Sequence, residues 1–98
     1  MDNKQPQLNL HRKLAIDLFN HTWYLIDKEN QSPEETDEMI HTAHASRYHW
    51  GIAGEVIHRQ RGEWQILRVY AVANRPHACH YHVQRCLEII ARKCDWWV

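Results

Sequence analysis

Apolar side chains recur every three or four residues along most of this chain, and little interrupts them. Only three glycines and three prolines occur in 98 residues. No stretch alternates apolar and polar residues as a half-buried strand does. Burial must therefore come from helices, and a chain of this length forms one domain with a modest core.

The breaks in the pattern divide the chain into four helices. Residues 1–8 are expected to form a flexible tail and residues 9–98 a single helical domain. A first helix is expected from about Asn9 to Lys28. Ala15, Phe19, Trp23 and Ile26 form its apolar stripe, widened by Leu14, Leu18 and Leu25. Asn30-Gln31 ends it. In Ser32-Pro33-Glu34-Glu35, Ser32 supplies a cap, Pro33 fits the first helical position and Glu35 closes a capping box. A second helix then runs from Pro33 to about Ile52, with Met39, Ala43, Ser46 and Trp50 on one face. The small residues Ala43, Ala45 and Ser46 let a neighbour approach closely. Gly51 and Gly54 mark its end. A third helix is expected from about Glu55 to Ala73, burying Val56, Ile66, Leu67, Tyr70 and Ala73. Asn74 tolerates the left-handed conformation that stops helices, and Pro76 opens the fourth. That helix runs to about Lys93, with Cys79, Val83, Cys86 and Ile90 as its core stripe.

Short links make successive helices antiparallel neighbours. The expected fold is therefore all-α, built of antiparallel helical hairpins. They either stack as two layers or close into an up-down bundle, and periodicity alone does not choose.

Twelve basic and twelve acidic residues cancel. A neutral balance gives no electrostatic basis for nucleic-acid or anionic-membrane binding, and no apolar run approaches a membrane span. Residues 1–7 lack the apolar core of a signal peptide, so the expected location is the cytoplasm. Three cysteines, Cys79, Cys86 and Cys94, make a disulfide framework implausible. Cys79 and Cys86 are read as small buried hydrophobes with inert thiols. No phosphate loop, nucleophile elbow or cofactor fingerprint occurs, so neither enzyme activity nor a cofactor is expected.

The segment from Gln60 to Lys93 resembles one tetratricopeptide repeat. Aligned on Tyr70, Ile66 takes the Leu position, Asn74 the inter-helix turn, Cys79 the first small position, Val83 the aromatic position and Cys86 the second small position. Leu87-Glu88-Ile89 follows, and the segment has the family's period of about 34 residues. Glu63 stands at the usual Trp position with Trp64 one place late, Leu67 replaces the Gly and Ala91 the Pro. Residues 9–58 do not repeat the pattern in register. The chain is thus similar to a divergent, bacterial-type repeat protein. The resemblance implies a right-handed stack and a protein or peptide partner held by the exposed faces of the first and third helices. His11, Asp17, His21, Arg61, Arg68 and Asn74 are its candidate groove residues. Two hairpins leave an end uncovered. Trp96 and Trp97, near the C-terminal end, are therefore candidate contacts for a partner or a second copy in a homodimer.

Nine histidines raise a second possibility, a four-helix bundle with a histidine-rich metal or small-ligand site. His41 and His44, and His77 and His80, are each three apart and share a helix face. Glu38-x-x-His41 and Glu55-x-x-His58 have the spacing of bundle carboxylate metal sites. No metal is assigned to them, because such sites also need glutamates from two other helices, and the first helix has none in its middle.

Overall fold

A computed structural model describes the backbone of residues 4–93, with the side chains of residues 4–91. It has four helices: α1 (Lys4–Ile26), α2 (Pro33–Ala53), α3 (Val56–Val72) and α4 (Pro76–Lys93). The fold is all-helical, as the periodicity requires. The first helix starts at Lys4, before the expected Asn9, and ends at Ile26 rather than Lys28. Gln5 donates to Asn9 Oδ1 at 3.0 Å within that added turn. Such an i,i+4 polar pair supports a helix without apolar residues, so apolar periodicity alone misses it.

The helix boundaries follow from local chemistry. Glu35 N–H donates to Ser32 Oγ at 3.1 Å, and Ser32 N–H donates to Glu35 Oε1 at 2.9 Å. This is the expected capping box, with Pro33 in the first turn. Lys28 also bonds Glu35. That bond, followed by the Ser32 backbone N–H, holds the Glu35 carboxyl down at about 2. At the other end of the domain, Asn74 is left-handed, with φ 58°. Arg75 N–H reaches back to Tyr70 O at 2.8 Å, and Asn74 N–H to Ala71 O at 3.1 Å. Those two bonds make a Schellman stop and turn the chain into Pro76.

Packing follows chain order. α1 lies on α2, α2 on α3 and α3 on α4, and α1 also touches α3. The backbone of α4 approaches neither α1 nor α2 among the described residues. A closed four-helix bundle would return α4 to α1, so the arrangement is an open pair of hairpins. Its extents of 48 × 38 × 17 Å are those of a slab about two helices thick.

The α1–α2 seam is tight because small residues line it. Ala15, Thr22, Ala43 and Ser46 are fully buried there, and the hydroxyls satisfy their needs locally. Ser46 donates to Ala15 O at 2.9 Å. Thr22 donates to Leu18 O at 2.7 Å, and its hydroxyl lies 2.8 Å from that of Thr42. The main apolar cluster is Leu25, Ile26, Met39, Ala43, Ile66 and Val69. All four expected core positions of α2 are buried.

In α3 and α4 the core differs in detail. Val69 and Gln65 are completely buried, while Val56, Leu67, Tyr70 and Ala73 are only half-buried. In α4, Ile89 is buried and Ile90 is 37% exposed, with Cys79 and Val83 half-buried. The reason is that α3 is sandwiched. It offers Gly62, Gln65, Ile66 and Val69 as its buried core while turning Glu63 and Tyr70 toward α4, so a single stripe does not describe it. Gln65 donates to Phe19 O at 2.9 Å, and its Oε1 is buried with no partner. An unpaired buried oxygen costs about 1–3 kcal/mol.

Gly54 sets the α2–α3 turn. A Cβ there would lie 2.7 Å from Trp50 O and 2.8 Å from Trp50 Cε3. Backbone cannot yield cheaply, so Gly54→Ala is expected to destabilise the fold by about 1–3 kcal/mol. Ser32→Ala is expected to cost about 1 kcal/mol through the lost cap. Urea titrations measure both. An unchanged midpoint for Gly54→Ala would contradict the steric account.

Candidate functional site

Two constellations stand out, one buried and one at the surface. The buried one links three helices through polar side chains. Glu63 on α3 is 5% exposed. Its Oε2 accepts from Arg47 Nε on α2 at 2.8 Å, and its Oε1 lies 2.6 Å from His82 Nδ1 on α4. His82 also stacks on Tyr70, with centroids 5.6 Å apart and planes at 16°. The Tyr70 hydroxyl is 2.7 Å from His44 Nε2. Gly62 makes the slot, because a Cβ there would stand 2.9 Å from Arg47 Cδ.

A carboxylate taken out of water is tolerated only with good partners on both oxygens. Glu63 has them, from two different helices. Burial pushes His44 below the usual histidine value of 6.5, and the neighbouring His82 adds to this while Glu63 opposes it. Burial likewise lowers His49, with a further push from His11. Burial raises the Cys86 thiol, which lies 3.8 Å from Gln60 O. Such a thiol is a packing group, as its place on the core stripe suggests, whereas Cys79 is only half-buried.

The surface constellation is aromatic and cationic. Trp23 of α1 meets Trp64 of α3 at 5.4 Å between ring centroids, and Phe19 sits edge-on to Trp23 at 6.1 Å. The Arg68 guanidinium lies 5.9 Å from the Trp64 ring centroid. Arg61 lines a small cleft with Phe19, Trp50 and His58, floored by the Trp50–His58 stack at 4.3 Å and 8°. Arg61, Trp64 and Arg68 rise from successive turns of α3 and are exposed.

Of the residues singled out from sequence, Arg61 and Arg68 fall together on this face. His21 does not join them. It bonds Glu38 of α2 at 2.6 Å and stacks on Tyr24, on the α1–α2 seam. Asn74 shapes the α3–α4 turn and borders a separate open cleft of about 360 Å³ with Cys79, His80 and Val83. Asp17 is tied to Lys13 on the exposed side of α1. Trp96 and Trp97 lie outside the described residues.

The histidine spacings are put to other uses. Glu38 bonds His21, and His41, His77 and His80 are exposed. In Glu55-x-x-His58, the Glu55 N–H donates to His58 Nδ1 at 2.9 Å, so this match is a helix cap. Among the described residues, no group of three or more His, Cys, Asp or Glu side chains is placed to hold a metal ion. No helix among them is long and apolar enough to cross a membrane.

Sequence reasoning missed the Glu63 network, although signals existed. Glu63 lies on the same helical stripe as Ile66 and Tyr70, and Gly62 is an isolated glycine inside a helix, which often marks close packing. No protein-family model matches the chain, and neither does any curated protein or solved structure.

Removing one partner of a buried charge strands the other, at a cost of about 3–5 kcal/mol. Glu63→Leu is therefore expected to be severely destabilising. Arg47→Met, Glu63→Leu and His82→Phe combined should recover much of that loss. A triple variant no more stable than the single one, in urea unfolding, would contradict the account. The pH dependence has a definite sign. His44 and His49 have folded values below 6.5, so the unfolded chain takes up their protons first. Their contribution is complete above about pH 6.5 and is lost as pH falls below it. His44→Gln should flatten the fall in urea midpoint between about pH 7 and about pH 5. An unaltered slope would count against it.

Proposed function

We propose that the chain is a cytoplasmic protein- or peptide-binding module without catalytic activity, and that the α1–α3 face is its docking surface. One observation carries the reading. Arg61, Phe19, Trp23, Trp64 and Arg68 form a continuous exposed or half-exposed array on the face that the open stack leaves uncovered. Trp and Arg are the residue types most enriched at binding hot spots. The resemblance of residues 60–93 to a tetratricopeptide repeat supports the same use of first and third helices.

The chemistry suggests the class of partner. Two guanidinium groups flank an indole, about 10 Å apart along α3. A segment with carboxylates on either side of an aliphatic or aromatic residue complements them. A homodimer formed through the C-terminal end of the chain is a separate part of the reading. Light scattering on size-fractionated protein reads this directly.

The docking reading is tested by capture from a bacterial lysate with wild type, Trp64→Ala, Arg68→Ala and Leu87→Ser as parallel baits. Hot-spot truncations cost about 2 kcal/mol or more, so the first two should lose a partner that Leu87→Ser retains. Equal capture by all four baits, with unchanged melting, would remove the α1–α3 face as the site.

A further inference from the structure

An open groove of about 360 Å³ lies between the end of α3 and the start of α4, beside the Asn74 turn. Its volume falls at the lower end of the about 300–1,000 Å³ usual for small-molecule sites. Tyr70 and Ala71 line it from α3, and Cys79 and Val83 from α4. Tyr70, Cys79 and Val83 are half-buried there. Arg75 and His80 also line it, and both are exposed. The inner wall is therefore largely apolar, and hydrogen-bond donors stand at the mouth.

We propose that this groove binds small hydrophobic carboxylates, with the carboxylate on Arg75 and the apolar chain along Ala71, Cys79 and Val83. Charge is the first support. No Asp or Glu occurs between Glu63 and Glu88, whereas that stretch carries Arg68, Arg75 and Arg85. Glu63 is committed to Arg47 and His82, Arg85 pairs with Glu88, and Arg68 lies over Trp64. Among the described residues, no carboxylate pairs with the Arg75 guanidinium. A guanidinium fork beside an apolar wall complements a carboxylate that carries a hydrocarbon tail. Inorganic phosphate would use the cation and leave the wall unused.

Shape is the second support. Ala71 and Cys79 are small side chains on the two helices, and a Leu at either position would occupy the space between them. Rigidity is the third. The Tyr70 hydroxyl is 2.7 Å from His44 Nε2, and its ring stacks on His82 with centroids 5.6 Å apart. That wall is held in place before a ligand arrives, which lowers the ordering cost of binding. Left-handed Asn74, with φ 58°, reverses the chain and sets Arg75 at the start of α4. A ring N–H of His80 can donate a second hydrogen bond from the mouth. The groove is separate from the α1–α3 docking face, and binding there does not depend on that face.

The test titrates the full chain with sodium octanoate and follows the backbone amides by NMR. Octanol supplies the chain without the charge, and inorganic phosphate the charge without the chain. Saturable shifts confined to residues 70–83 are expected. From butanoate to octanoate, binding should tighten about twofold per methylene, since the groove covers only one side of the chain. Octanol should bind about tenfold more weakly than octanoate, because it lacks the charge-assisted hydrogen bond. Arg75→Gln should reduce octanoate to the affinity of octanol and leave octanol unchanged, whereas Lys13→Gln should bind octanoate as wild type does. Ala71 is exposed, so Ala71→Leu should keep its melting temperature while filling the groove and weakening both ligands. Equal binding of octanoate and octanol, shifts spread outside the groove, or displacement of octanoate by an equal concentration of phosphate overturns the proposal. So does unaltered octanoate affinity in Arg75→Gln or in Ala71→Leu.

Discussion

The placement of α4 depends on one buried carboxylate. Glu63 is held by Arg47 from α2 and His82 from α4, and among the described residues the backbone of α4 approaches no helix but α3. The side-chain path Arg47–Glu63–His82, reinforced by the His44–Tyr70 bond and the rings around it, therefore ties the fourth helix to the second. Apolar contact is non-directional and would allow α4 to slide or roll along α3. A carboxylate with a partner on each oxygen fixes one register, at a desolvation cost that the geometry must offset. We read this network as a specificity device, since a well-packed apolar replacement is often as stable.

The open order of helices has a functional consequence. A closed bundle hides its facing stripes, whereas a slab two helices thick keeps its outer faces available. The polar network occupies the α2–α3–α4 side. The aromatic and guanidinium groups occupy the α1–α3 side. The two constellations use different faces of the helices, so a substitution in one can be interpreted without assuming damage to the other. Gly62 and Gly54 serve the scaffold through close approach, one to the Arg47 side chain and the other to the Trp50 backbone.

Much of the fold was legible in the residues. Ser32-Pro33-Glu34-Glu35 writes its capping box in four letters, and Asn74 followed by Pro76 writes its stop and start. The stripe Met39, Ala43, Ser46 and Trp50 is buried throughout because α2 has apolar neighbours at helical spacing on one face. The candidate docking face was only partly legible. Arg61 and Arg68 are two turns apart on one helix, so helical spacing alone puts them together. The resemblance puts His21 in the same groove, but the rotation of α1 about its axis turns it toward Glu38. That rotation is decided by how Ala15 and Thr22 seat against α2, which no local pattern encodes.

The sequence by itself determined that the chain is helical, where its central helices cap and stop, and that successive helices pair. Those properties rest on interactions within one turn or across a short link. Only the tertiary structure decided that the hairpins stay open, that α3 is buried from two directions, and that Glu63 lies inside with Arg47 and His82. It alone brought Trp23 to Trp64 and His11 to His49. Each of these depends on the rotation and offset of one helix against another. Side-chain volumes, glycine gaps and paired charges distant in the chain set those quantities together, and periodicity along one helix carries no information about them.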